Sequence, residues 1–137
     1  MKKIKFRAWD KELNIMSYAN DGLLVMFLGE DICVAYDSPA GDGVVNIYEL
    51  MQYTGIKDKN EKEIYEGDIV KFLDEEVTYS DCRYDYDEFI NTGRVIFNDK
   101  LMGWDITNRN MDLEEIWHYS EYIEVIGNIY ENPELLD

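Results

Sequence analysis

Apolar positions along the chain fall in short runs, most of them alternating with polar residues and bounded by glycine or small polar clusters. Ile4-Lys5-Phe6-Arg7-Ala8-Trp9 alternates apolar with basic side chains, which predicts a strand with one wet face. Asp10-Lys11-Glu12 reads as a turn, and Leu13 to Tyr18 as the returning strand. Asn20-Asp21-Gly22 is a second turn signal. Leu23 to Leu28 and Ile32 to Tyr36 flank Gly29-Glu30-Asp31 and predict a second hairpin. Ser38-Pro39-Ala40-Gly41-Asp42-Gly43 reads as a loop. Val44 to Tyr53 carries two readings. Val44, Val45 and Ile47 favour a strand, whereas Tyr48-Glu49-Leu50-Met51 has the length of one helical turn.

Beyond residue 62 the punctuation is more regular. Glu66-Gly67-Asp68 reads as a structural bend that launches a strand from Asp68 to Leu73. Asp74-Glu75-Glu76 predicts a turn before a short strand, Val77-Thr78-Tyr79. Ser80 to Asn91 is acidic and rich in tyrosine, the composition of an extended loop or hairpin tip. Gly93 to Phe97 and Gly103 to Thr107 flank Asn98-Asp99-Lys100 and predict a hairpin. Glu121 to Tyr130 is a further strand region, bent or bulged at Gly127. Asn132-Pro133-Glu134 has the order of an N-cap, a proline at the first helical position and an early acid, so a short terminal helix is expected.

These elements describe a mainly β protein. It has an N-terminal β-hairpin region over 1–62, an SH3-like small β-barrel region over 63–137 and a short C-terminal helix. A single core shared by both regions is compatible with the same pattern. At 137 residues, 46% of them hydrophobic and 14% aromatic, the chain has enough apolar surface to fold and does not read as disordered.

Charge narrows the partners. Thirteen basic residues against thirty acidic ones give a net charge of −17. Such a chain repels phosphate backbones and anionic membranes, so direct nucleic-acid or membrane binding is disfavoured. The distribution is uneven: Lys2, Lys3, Lys5 and Arg7 crowd the first ten residues, while 101–137 holds nine acids and one arginine. Head-to-tail attraction within or between copies is one reading, and an edge strand guarded by lysine is the other. Cys33 and Cys82 form no CxxC pair and no disulfide framework, which places the protein in a reducing cytoplasm. No secretory signal is read near the N-terminus, and the Leu23 to Leu28 run is too short to span a bilayer.

Candidate chemistry is sparse. His118 is the only histidine and sits between Trp117 and Tyr119, the setting of a structural rather than a catalytic residue. One histidine and two distant cysteines do not supply a tetrahedral zinc site. Asp81, Asp85, Asp87 and Glu88 lack the glycine that a calcium loop requires after its alternating acids, so a solvated acidic loop is the preferred reading. Gly41-Asp42-Gly43 lacks the later glycine and lysine of a phosphate loop. Neither a cofactor nor a catalytic residue is expected. Tyr79, Tyr84 and Tyr86, interleaved with Asp85 and Asp87, have the makings of a recognition surface, because a tyrosine ring contributes contact area at low entropic cost. They fit equally well as rings covering the barrel.

Three ordered blocks carry a resemblance: Phe6-Arg7-Ala8-Trp9-Asp10, then Gln52 to Asn60 (QYTGIKDKN), then Lys62 to Val70 (KEIYEGDIV). Gly93-Arg94-Val95 and Glu124 to Leu135 extend it to the C-terminus. The chain resembles the YopX family of phage and prophage proteins. That resemblance implies a β-rich fold with an SH3-type C-terminal part, a bacteriophage or prophage source, and no established biochemical function; with the reducing cytoplasm expected from the cysteines, the location expected is the host bacterial cytoplasm. It transfers no catalytic residue. Family members often carry glycine where this chain has Glu61, so the turn here is expected to be wider than a type I′ turn or of another type. The function expected is a noncatalytic interaction or self-assembly module, homo-oligomeric or bound to a host or phage protein. The alternative is an acidic mimic of nucleic acid that blocks a host DNA-binding enzyme.

Overall fold

The computed structural model describes residues 3–18, 23–28, 31–36, 48–118 and 120–137. Its strands are β1 (Phe6–Asp10), β2 (Ile15–Tyr18), β3 (Leu23–Leu28), β4 (Asp31–Tyr36), β5 (Tyr48–Lys57), β6 (Glu63–Tyr65), β7 (Asp68–Ser80), β8 (Arg83–Asn98), β9 (Gly103–Ile106) and β10 (Glu124–Asn128). Among the described residues there are two four-stranded antiparallel sheets, ordered β2-β1-β5-β6 and β10-β7-β8-β9, and a β3-β4 hairpin. One of the two four-stranded sheets is a curled half-barrel. The chain divides into two compact units, 1–53 and 54–137.

In the first unit, Asp10 closes the β1–β2 turn by accepting the backbone N–H groups of Glu12 and Leu13 at 2.9 and 3.0 Å. Asn14 completes the turn with φ of 54°, a conformation that asparagine tolerates. β1 then pairs with β5, Trp9 opposite Glu49 and Ala8 opposite Leu50. The expected wet face of β1 is absent, because Arg7 and Asp10 are both only 2% exposed. The ambiguous segment is a strand from Tyr48 onward. The expected β3-β4 hairpin is present, with Leu23 opposite Tyr36 and Leu28 opposite Asp31. The turns around 20–22 and 29–30 and the loop 38–43 lie outside the described residues.

The second unit is built on a core of Ile64, Val70, Phe72, Val95, Ile106, Ile116 and Ile123. The run from Lys57 to Lys62 is a tight turn tied to that core. Asp58 donates its N–H to the carbonyl of Lys62 and accepts the N–H of Glu61. Glu61 takes φ of 64° while Asn60 does not turn positive. This is a three-residue hairpin loop with a left-handed closing residue, not a type I′ turn. The Asp58 carboxylate, 5% exposed, accepts three backbone N–H groups: Asn60 and Lys62 at 2.8 and 2.9 Å, and Val125 of β10 at 2.9 Å. At the next bend Gly67 has φ of 87°, the left-handed region that glycine enters without steric cost. Its N–H reaches the Val95 carbonyl, its own carbonyl accepts from Ile129, and Asp68 accepts the Tyr65 N–H at 2.8 Å.

Several expectations are corrected here. No turn interrupts 74–76, and β7 runs unbroken for 13 residues. Ser80 to Asn91 is a hairpin tip rather than an extended loop: the turn falls at Asp81 and Cys82, and β8 starts at Arg83 and continues for 16 residues. Polar composition misled because Asp74 is buried by donors from elsewhere, while Glu76, Thr78 and Asp87 stand on an exposed ribbon. Helix α1 (Leu113–His118) was not foreseen, and it buries only Ile116. The terminal helix is a single 3-10 turn, Pro133–Leu136. Asn132 does not cap it through its side chain, whose Oδ1 instead accepts the N–H of Asn128. The bulge near Gly127 is present, as a register shift between Val125 and Gly127 where β10 pairs with β7. The hairpin around residues 98–100 is present too, with Val95 opposite Ile106.

Candidate interaction surface

β7 and β8 pair for twelve rungs, from Ile69 opposite Arg94 to Ser80 opposite Arg83. The neighbouring strands cover only the base of this ribbon. β10 pairs with β7 no further than Lys71, and β9 pairs with β8 only from Val95 onward. Among the described residues, then, no strand lies on either edge of the distal arm, 75–80 with 83–90. The tip is a two-residue turn in which Asp81 and Cys82 both have positive φ, 50° and 62°. That is the hairpin turn whose twist matches the flanking strands.

Directly opposed residues of an antiparallel pair point to the same face. One face of the arm therefore carries Leu73 with Ile90, Glu75 with Glu88, Val77 with Tyr86, and Tyr79 with Tyr84. The other carries Glu76 with Asp87, Thr78 with Asp85, and Ser80 with Arg83. Tyr79, Tyr84 and Tyr86 are 61–62% exposed, Val77 52% and Ile90 60%. The rings of Tyr79 and Tyr84 lean together with centroids 4.8 Å apart at 49°. Of the predicted site residues, the three tyrosines share one face, and Asp85 and Asp87 lie on the opposite one. Gly67 and Asp68 sit at the far end, in the bend that starts β7. The tyrosines do not cover the barrel.

At the root of the tyrosine face lies a groove of about 580 Å³, bounded by Leu73, Glu75 and Glu88 from the ribbon and by Met111, Glu114, Glu115, His118 and Tyr122 from the segment that crosses it. Among the described residues no lysine or arginine lines this groove. His118 is exposed at the end of α1.

Asp74 holds the two walls together. Its buried carboxylate accepts N–H groups from Asn110, at 2.9 Å for the shorter contact, from Met111 at 2.8 Å and from Glu75 at 2.9 Å, and the Asn91 amide at 2.9 Å. Burial alone would push the Asp74 carboxyl up, but these donors together outweigh it and hold the group below the usual carboxylate value. Asn91 also donates to the Asn108 carbonyl at 2.8 Å. Asp105 anchors the next turn similarly. Burial opposes its charge, and the hydrogen bond from Arg109 at 2.7 Å, with Asn98 and the Ile106 N–H, reverses the balance and lowers its pKa.

The sequence pattern singled out the tyrosines but not Val77, which shares their face, and not the groove. The strict alternation of Val77, Tyr79, then Tyr84, Tyr86 about an Asp-Cys turn was the available signal. The groove was not legible, since Glu114, Glu115 and His118 are brought to the ribbon by long-range contacts, those of Asp74 with Asn110 and Met111 and the burial of Ile116 beside Phe72. Among the described residues no group of three or more His, Cys, Asp or Glu side chains is arranged to hold a metal ion. No described helix is long and apolar enough to cross a membrane.

The chain matches the protein family described as YopX protein over residues 5–137. Among solved structures it is similar to the crystal structure of protein EF1440 from Enterococcus faecalis, with 25% sequence identity, a TM-score of 0.60 and complete coverage of both chains. No curated protein matches it.

Proposed function

The chain belongs to the YopX family, and from that premise we propose that it is a noncatalytic protein-interaction module of a phage or prophage. Its curled half-barrel acts as an SH3-type scaffold, and its binding face is the tyrosine-bearing side of the β7–β8 arm. It works in the host bacterial cytoplasm. The observation that carries this reading is the arm itself: a ribbon with open edges that leaves Val77, Tyr79, Tyr84 and Tyr86 exposed on one face. An isolated two-stranded ribbon is marginal in water, and open edges invite pairing with another chain. Tyrosine is the residue type that interfaces enrich, with a rigid ring and a hydroxyl that stays satisfied when wet.

The test compares the full chain with a Tyr79→Ser/Tyr84→Ser/Tyr86→Ser variant as bait in a host lysate, alongside sedimentation of each alone. Loss of a captured host or phage protein, or of self-association, in the variant supports the reading. Retention of every partner by a folded variant contradicts it.

The opposite face of the arm favours a second reading. Glu76, Asp85 and Asp87 make this face mainly acidic, with Arg83 3.4 Å from Asp85, which suits a decoy for a basic cleft on a DNA-binding host enzyme. Inhibition of such an enzyme that survives Glu76→Gln/Asp85→Asn/Asp87→Asn rules that face out.

A further inference from the structure

We propose that the tyrosine face and the groove at its root form one continuous site for an extended segment of another protein, with apolar residues at two alternate positions and lysine or arginine at the next. This deepens the proposed function and rests on its assignment of the binding face. The rungs supply the pattern. Tyr79/Tyr84, Val77/Tyr86 and Glu75/Glu88 follow one another on the same face, each about 7 Å from the next at two residues per repeat. A strand laid along them repeats at the same spacing. Its side chains meet two apolar rungs and then a carboxylate pair.

The third rung needs a cation. Glu75 and Glu88 stand directly opposite each other, an arrangement in which like charges destabilise a sheet. Glu114 and Glu115 face the same groove and add to the negative field. An ammonium or guanidinium group entering there relieves the repulsion, while the tyrosine rings cover the apolar part of the segment. A second copy of the arm fits poorly. Residues 74–91 hold seven acids and the single base Arg83, so arm-on-arm contact would bring like charges together.

The test uses the full chain and a labelled peptide, acetyl-Thr-Ile-Thr-Ile-Thr-Lys-Thr-Lys-amide, followed by fluorescence anisotropy. Its control is a peptide of the same composition with the alternation scrambled. The expected result is saturable binding that falls with added salt and is at least tenfold tighter than for the scrambled peptide. Glu75→Gln/Glu88→Gln and Tyr79→Ser/Tyr86→Ser each weaken it tenfold or more. Asp99→Asn/Glu134→Gln, which neutralises two acids outside the arm and the groove, leaves it unchanged, and matching thermal transitions establish that all variants fold. No binding, or equal weakening by the Asp99/Glu134 control, overturns the proposal, the latter because bulk charge then accounts for the affinity. Binding lost with the tyrosines but indifferent to Glu75 and Glu88 overturns the cationic rung and leaves the face assignment standing. Binding indifferent to the tyrosines overturns the face assignment. Self-association of the unliganded chain that the tyrosine variant abolishes also overturns the proposal, in favour of a second copy.

Discussion

The Asp58 carboxylate accepts the backbone N–H of Val125 at 2.9 Å, joining a surface turn to a strand 67 positions later. The same group closes its own turn through Asn60 and Lys62. Removing it strands three backbone donors, two of them within the turn. Asp58→Ala is expected to cost about 2–4 kcal/mol, given about 1.5–3 kcal/mol for a hydrogen bond to a charged group and partial rescue by water at the exposed turn. Urea unfolding of the two proteins checks this.

Glu61 occupies the left-handed region with φ of 64°. Its ion pair with Lys57 spans 4.0 Å between exposed side chains and contributes little. Relieving the backbone strain outweighs glycine's larger entropy loss on folding. Glu61→Gly is therefore expected to raise stability by about 0.5–1 kcal/mol, less than the full left-handed penalty. Glu61→Val moves the urea midpoint the other way.

Two glycines allow close approach by different neighbours. A Cβ on Gly93 would overlap the Thr107 carbonyl oxygen, which is backbone held by the β8–β9 hairpin. On Gly127 it would meet the Asn132 side chain at 2.6 Å, and that side chain has rotamers to escape into. Gly93→Ala is expected to lower the melting temperature several-fold more than Gly127→Ala. Equal losses would mean that the Asn132 contact with Asn128 is as rigid as the backbone.

Asp74 and Asp105 both have pKa values below the usual carboxylate range in the folded chain. Their stabilising effect is fully present above the unfolded carboxylate pKa of about 3.9 and fades as pH falls through the lower folded values. The folded protein is expected to lose this contribution as pH falls below about 3.9 and through the lower folded values. An Asp74→Asn/Asp105→Asn variant is less stable at neutral pH and shows a shallower decline. Melting temperatures from pH 7 to pH 2 read both slopes.

The barrel-side strands were legible because Ile69, Val70, Phe72 and Val95 carry alternation and burial together, and because Gly67 and Gly127 mark real irregularities. The turn at Glu61 was legible in kind from its departure from glycine. What stayed hidden has one cause. Buried aspartates take their partners from distant backbone, so Asp58, Asp74 and Asp105 look like surface charges in the chain and act as internal fasteners in the fold. Misreading Asp74 as a turn removed the arm, and with it the groove. Arg7 was misplaced for a related reason, since alternation alone gives no sign that both faces of β1 are covered.

The most direct test of the interaction face is amide hydrogen exchange across the β7–β8 arm, free and in complex with a captured partner or the alternating peptide. Residues 76–80 and 83–90, which have no third strand beside them among the described residues, are expected to exchange quickly in the free protein and to slow on binding, while the turn at 99–102 does not change. A complex in which the arm exchanges at its free rate, with protection appearing elsewhere, would contradict the assignment of the tyrosine face.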